Sequence, residues 1–327
     1  MRTPVALLLL TLLFSGCVED FDLSRAETEP RLVVEGLITN KRGPYYIRLT
    51  ESHTGNFVIP DYDMNEPSLP VKDAVIIISD NVNQVDTLIP VDFNIREYTW
   101  DIHLGIYKIV YDANHNVIDT IFLTDPIDFT YDRGFYKTQH LIGIPGRTYS
   151  MKVISGNKEY MATSFLPPVP EIDSIGYTQD NKVKEPGEAC TPLIYFKEPQ
   201  GVRNYYLIQL NDEVGSRTYS NTLWQFSIIS DEFLQPYVNG LNISQGQTPR
   251  SIEYPIYYPG DSIYVALSSV TKNAFEYYKA LIQQFKNDGG AYQPSPGSPP
   301  TNMSNGALGY FRASSVSVKR IKIPRPL

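Results

Sequence analysis

Alternation of apolar and polar residues is the feature of this chain that most constrains its fold. Tyr149, Met151 and Val153 fall on one face of an extended segment, whereas Ser150 and Lys152 fall on the other. A period of two predicts a strand that buries one face. Short segments of this kind recur through both halves of the chain, so the sequence predicts a mainly β protein.

The chain divides at a proline-rich segment, Leu166–Pro170. Consecutive prolines cannot donate to a sheet and favour a stiff, extended connector. We therefore predict a transthyretin- or immunoglobulin-like sandwich followed by a second β-rich domain. The predicted divisions are a signal peptide at 1–16, an acidic tether at 17–30, an N-terminal sandwich at 31–166, a linker at 167–170, and a C-terminal domain at 171–327. The predicted strands lie at 31–39, 45–50, 71–79, 106–111, 117–123, 149–153, 160–165, 192–196, 205–210, 222–229, 262–267 and 315–323.

One helix is predicted in the second domain, at residues 272–287. Thr271 provides an N-cap, and the pair Gly289-Gly290 follows the end. An apolar stripe runs along one side of the segment. This stripe is interpreted as a core face rather than a partner site. Its members are Phe275, Tyr278, Leu281, Ile282 and Phe285.

The start of the chain has the three regions of an export signal, and they end at Cys17. A cation at Arg2 precedes an apolar run from 5 to 14 that is too short to cross a bilayer, and small residues follow. This arrangement predicts lipidation of Cys17, with palmitate among the acyl groups. The alternative is an ordinary cleaved signal with a chance cysteine. The acidic segment after it, beginning at Val18, Glu19 and Asp20, resembles a surface-export signal but also fits a solvated tether.

Composition excludes some classes of function. The 28 Lys and Arg residues against 36 Asp and Glu give a net charge of −8, so no basic field draws nucleic acid to the protein. Cys190 is the only other cysteine. Once Cys17 is acylated, the fold has to form without an internal disulfide.

No catalytic constellation emerges from the sequence. His53, His103, His115 and His140 are widely separated and lack zinc-site spacing. Cys190 has no neighbouring histidine or cation, so we interpret it as a buried, inert thiol. The sequence therefore predicts a protein that is not an enzyme and needs no cofactor. A glycosidase is the remaining enzymatic alternative, because the separation of its two carboxylates is spatial and cannot be read from spacing.

Two weaker patterns suggest ligands or modification. Asp61, Asp63 and Asn65 alternate as in a calcium loop, but Glu66 and Lys72 stand where an EF-hand needs Gly and Glu. A solvated acidic loop is therefore favoured over a metal site. Asp-Ser/Thr-apolar triplets match a short O-glycosylation sequon, although a turn before a strand has the same composition. Their hydroxyl residues are Thr87, Thr120, Ser174 and Ser262.

The order of short motifs along the chain resembles the Bacteroidota lipoprotein family that is catalogued as a domain of unknown function, DUF4249. The motifs lie at 17–21, 32–39, 71–75, 105–107, 145–149, 162–175 and 305–311. The first half also resembles the small transthyretin-like sandwiches that accompany TonB-dependent transporters. The resemblance implies an outer-membrane lipoprotein, often encoded beside a TonB-dependent receptor and expected to work with it. It implies no catalytic residue.

We therefore expect a non-catalytic accessory protein, held at the outer membrane by its lipid, facing the cell exterior and partnered with a TonB-dependent receptor in nutrient uptake. The candidate contacts are Tyr292, Tyr310 and Phe311. Tyr292 opens a proline-rich loop, and loops are where binding residues usually lie. Core packing is the alternative role for Tyr310 and Phe311. A surface adhesin or a component of envelope assembly is the alternative function.

Overall fold

The computed structural model describes residues 29–52, 69–91, 99–101, 105–111, 117–123, 134–179, 190–212, 226–242, 257, 259–260, 262–286 and 297–324. These ranges contain twenty strands, one α-helix and a 3₁₀ turn at Asp231–Phe233, so the mainly β class is confirmed. The helix, α1, is Lys272–Lys286. The strands are β1 (Leu32–Thr39), β2 (Tyr46–Glu51), β3 (Leu69–Pro70), β4 (Val75–Asp80), β5 (Val85–Thr87), β6 (Ile89–Pro90), β7 (Thr99–Asp101), β8 (Gly105–Tyr111), β9 (Val117–Leu123), β10 (Phe135–Lys137), β11 (Thr148–Ser155), β12 (Lys158–Phe165), β13 (Ile172–Gln179), β14 (Cys190–Lys197), β15 (Tyr205–Asp212), β16 (Phe226–Ser230), β17 (Tyr237–Asn242), β18 (Ser262–Val270), β19 (Leu308–Ser314) and β20 (Val316–Lys322).

The N-terminal lobe is a sandwich of two sheets around one core. One sheet has the order β19-β1-β2-β10-β6, with β3 beside β2, and the other has the order β12-β11-β4-β5. The apolar positions of the alternating strands point inward: Val34, Ile47, Ile76 and Met151 have no exposed surface. The predicted pairing of 31–39 with 45–50 is confirmed by the antiparallel β1–β2 ladder.

The C-terminal lobe repeats this arrangement with one sheet of three strands and one of four. Their orders are β13-β14-β17 and β16-β15-β18-β20. Ile194 and Phe196 from the first sheet share a core with Tyr206 and Ile263 from the second. A further sheet, β7-β8-β9, contains the predicted hairpin of 106–111 with 117–123.

Strand β19 differs from the sequence prediction because it returns to the N-terminal lobe. Residues 171–327 were predicted to form one C-terminal domain, but β19 pairs in parallel with β1, from Val33 opposite Leu308 to Thr39 opposite Ser314. Phe311 lies in the core of the N-terminal lobe. Burial of that large ring against β1 and β2 explains why the chain crosses back.

Side chains satisfy the second edge of β19. The Asn302 side chain accepts the N–H of Phe311 at 3.0 Å and donates to its carbonyl at 2.7 Å. The Ser164 hydroxyl accepts the N–H of Ala313 at 2.9 Å. These bonds occupy groups that an open sheet edge would leave free for another chain.

Helix α1 forms where the sequence predicts it. The Thr271 hydroxyl accepts the N–H of Ala274 at 3.2 Å, which confirms the N-cap. Phe275 and Ile282 on the predicted stripe are buried beside Tyr310 of β19, so the helix covers the face of β19 that points away from the N-terminal core. The described part of the stripe is thus a core face, as predicted.

Candidate interaction surface

Several sequence-predicted residues lie outside the described ranges. They are Cys17, Val18, Glu19, Asp20, Tyr292, the calcium-like Asp61, Asp63 and Asn65, and the histidines His53, His103 and His115. Tyr310 and Phe311 are described, and both are buried. Tyr310 packs on Tyr277 with ring centroids 4.8 Å apart, and Phe311 has no exposed surface. Core packing, the alternative role, accounts for their positions.

The glycosylation triplets occupy different environments. Thr87 and Ser174 are exposed, Ser262 is half-buried and accepts a bond from Arg320, and Thr120 lies on β9. In the first triplet, Asp86 has a structural role. Its Oδ2 accepts the backbone N–H groups of residues 139, 140 and 141 at 3.0, 2.8 and 2.8 Å. This triplet therefore fits the strand-and-turn interpretation as well as it fits a sequon.

The most exposed aromatic residue among those described lies on the C-terminal lobe, at the end of the 3₁₀ turn. Phe233 is 81% exposed, and Val202 on the facing loop is 63% exposed. Two hydrogen bonds join the loop and the turn: the backbone N–H of Asp231 donates to the Asn204 carbonyl, and the backbone N–H of Asn204 donates to the side-chain Oδ2 of Asp231. We call the loop 199–204 together with the turn 231–236 the clamped edge.

A buried carboxyl group fixes the clamped edge to the lobe. Glu198 follows β14 and is almost fully buried. The Tyr206 hydroxyl donates to its two oxygens, at 3.0 and 2.8 Å, and Asn204 Nδ2 donates to Oε1 at 2.8 Å. The N–H of Glu198 donates to the Pro236 carbonyl at 3.0 Å. One residue thus ties β15, the loop and the turn together.

Burial controls the protonation of this cluster. Loss of water raises the pKa of Glu198, the bonds from Tyr206 and Asn204 oppose that rise, and the charge of Asp231 adds to it. Burial also raises the pKa of the Tyr206 hydroxyl, and its bond to Glu198 raises it further. Tyr206 therefore remains a proton donor to the carboxyl group. With its oxygens occupied, Glu198 orders the loop and is not free to attack or protonate a substrate.

The pKa shift predicts how stability depends on pH. Folding raises the pKa of Glu198, so the protonated carboxyl group stabilises the folded state at low pH. This contribution to the free energy of unfolding is lost as pH rises through the folded pKa. We expect Glu198→Gln to remove this loss of stability. The free energy of unfolding of this variant, relative to that of the native chain, should increase as pH rises from about 4, the ordinary range of a glutamate pKa, through the folded pKa, as measured by urea denaturation.

A shortened side chain separates charge from hydrogen bonding. Glu198→Ala also removes the titrating group and takes the Glu198 acceptor away from Tyr206 and Asn204, so it should be less stable than Glu198→Gln by about 1–3 kcal/mol at every pH. A constant difference between Glu198→Gln and the native chain across the pH series would show that Glu198 does not titrate as the structure implies.

Sequence reasoning did not single out Glu198, Asn204 or Phe233. No local sequence motif marks Glu198, because its hydrogen-bond donors come from β15 and from the loop before it. Phe233 could have been noticed in the sequence, because it is a large apolar residue that follows Asp231-Glu232 and precedes Pro236 by three positions, in a segment typical of a turn.

The described residues show three further features relevant to function. Their His, Cys, Asp and Glu side chains do not gather in groups of three or more suited to a metal ion. Their helical part has no segment with the length and apolarity of a membrane span. Cys190, the described thiol, is buried as expected.

Comparison with known proteins identifies a family. The family model described as "Domain of unknown function (DUF4249)" matches residues 18–320. No curated protein matches the chain.

Proposed function

This chain belongs to the DUF4249 family, and from that membership we propose that it is a lipid-anchored, non-catalytic accessory protein that docks on a TonB-dependent receptor of the outer membrane during nutrient uptake. Cys17 carries the lipid, and the segment from Val18 through Asp20 directs export to the surface. The protein faces the cell exterior, where its lobes meet the receptor and its cargo.

The exposed Phe233 is the observation that supports a docking role. Phe233 is 81% exposed and Val202 on the facing loop is 63% exposed, so the clamped edge leaves apolar surface in water at two positions that a partner can cover. Aromatic side chains on rigid backbone lose little freedom on binding and are common anchors of protein interfaces. The backbone that carries Phe233 is rigid because Glu198 and Asp231 hold its turn by hydrogen bonds.

Charged residues lie on the same loop and turn as this anchor. Arg203 Nη1 lies 3.2 Å from Asp231 Oδ1 and 3.8 Å from Glu232 Oε2, and these two acidic residues precede Phe233 in the turn. An apolar centre with a polar rim is the usual anatomy of a protein interface. Exposed ion pairs contribute little energy, so we expect the ring to dominate affinity and the rim to set orientation.

Co-purification from native membranes tests the proposal. The protein is tagged at Leu327, the outer membrane is solubilised in mild detergent, and mass spectrometry identifies the proteins recovered. We expect a TonB-dependent barrel in near-equal amount. Recovery of the lipoprotein alone would overturn the accessory role and favour a free-standing binder or adhesin.

Substitution of Phe233 tests the docking surface within the same experiment. We expect Phe233→Ala to weaken receptor binding by about 30-fold, the loss typical of an interface hot spot. Phe165→Ala is the matched control, because Phe165 is also exposed but lies on β12 of the N-terminal lobe. Equal retention of the receptor by both variants would move the interface away from the clamped edge while leaving the accessory role intact.

A further inference from the structure

Arg312 is a buried cation without an anion. It lies on β19 with 6% of its surface exposed, and its Nε and Nη1 atoms are enclosed without a hydrogen-bond partner. Among the described residues, no carboxylate forms an ion pair with it. A guanidinium group has five N–H donors and no acceptor, so only an acceptor or an anion can satisfy it.

Aromatic rings form the surroundings of this cation. The Arg312 Cζ atom lies 5.2 Å from the centroid of the Tyr278 ring on α1. Phe226 packs edge-on against Tyr278 at 5.4 Å, and Tyr277 packs on Tyr310 at 4.8 Å. Attraction to one ring compensates only part of the hydration that a buried guanidinium loses. The site thus has a positive charge that is only partly compensated, next to a cluster of aromatic side chains.

The nearest acidic position on the same sheet face is already in use. Glu35 on β1 lies beside Tyr310 in the ladder, and Leu37 lies beside Arg312. The Glu35 carboxylate is exposed and pairs with Arg48 at 3.5 Å. Charge compensation for Arg312 therefore has to come from outside the described fold.

We propose that Arg312 binds the carboxylate of a small organic monoanion whose apolar body lies against Tyr277 and Tyr278. A single buried cation matches a single negative charge, whereas a phosphate carries more charge than one guanidinium neutralises. Tyr277 and Tyr278 are partly exposed, and their rings pack edge to face with centroids 5.3 Å apart, so the aromatic cluster beside Arg312 reaches the protein surface. The proposed ligand enters from that side. This site does not depend on docking at Phe233.

Titration of the full-length protein with sodium benzoate, an aromatic monocarboxylate, tests the assignment. Calorimetry at constant ionic strength, with sodium chloride as the balancing salt, should give saturable binding, and the melting temperature should rise with benzoate concentration. Inorganic phosphate should bind at least about 10-fold more weakly, since it brings excess charge into apolar surroundings.

Two substitutions locate the binding group. Arg312→Met keeps the length of the side chain without its charge, so benzoate binding should fall by about 10- to 100-fold, while the ligand-free protein melts at the same or a higher temperature. Arg312→Lys keeps the charge but loses the planar donors, and it should also weaken binding about 10-fold. Either variant suffices if the other does not fold.

Arg48→Met is the matched control. Arg48 points to the same sheet face and lies over the Phe135 ring at 5.7 Å, but it is already paired with Glu35. Its replacement should leave benzoate affinity unchanged. The proposal is overturned if benzoate does not bind, if phosphate binds more tightly than benzoate, or if the Arg312 variants bind as well as the native chain.

Discussion

Gly309→Ala is expected to destabilise the protein by about 3–5 kcal/mol, because two costs fall on the same residue. Gly309 has φ +84°, a conformation that side chains rarely adopt. A Cβ atom there would lie 2.0 Å from the carbonyl oxygen of Val34. That oxygen belongs to the backbone of β1, so it can move away only if β1 and β19 separate. Urea denaturation measures the loss.

Gly306→Ala separates the two costs. Gly306 has a similar φ of +76°, but a Cβ atom there would have no heavy atom within 4 Å. It should therefore lose only the conformational part, about 1–2 kcal/mol. Equal losses at Gly306 and Gly309 would show that close packing of β19 on β1 is not what requires the glycine.

Sequence pattern predicts the elements whose surroundings are simple. Strand β11 buries one face and shows the other, so Tyr149, Met151 and Val153 alternate with polar residues as the period requires. Helix α1 was predictable for a similar reason, since its stripe and its cap at Thr271 are both local signals. Residues 71–74, predicted as part of a strand, are not part of β4, which begins at Val75.

Pattern fails for β19, because both of its faces are buried. Tyr310 and Arg312 point to α1, whereas Phe311 and Ala313 point to the N-terminal core. Without alternation there was no local signal for a strand, and its parallel partner β1 lies at the other end of the sequence.

The candidate surface was less predictable still. Glu198 becomes a clamp only when Tyr206 of β15, Asn204 of the loop and the Pro236 carbonyl converge on it. Of the three aromatic residues chosen from sequence, Tyr310 and Phe311 proved to be buried, and Tyr292 lies outside the described residues. Phe233 was overlooked. The residue type alone does not predict whether an aromatic ring is exposed or buried in the core, because exposure depends on what packs against the residue in the fold.

Two Phe→Ala substitutions make this difference measurable. Phe311→Ala should cost about 3–5 kcal/mol, because it opens a cavity beside Gly36 and Ile47 in the core of the N-terminal lobe. Phe233→Ala removes the same atoms from an exposed turn and should change stability by no more than about 0.5 kcal/mol. Urea denaturation of both variants provides the comparison.

The outcome also decides how the lobes depend on each other. Phe311 is supplied by a segment that follows the C-terminal lobe in sequence, and its strand continues through Ser314, whose hydroxyl donates to the Ser269 carbonyl at 2.6 Å. Loss of Phe311 should therefore lower the stability of both lobes in one transition. Two separate transitions, with only the N-terminal lobe weakened, would mean that β19 completes one lobe without coupling it to the other.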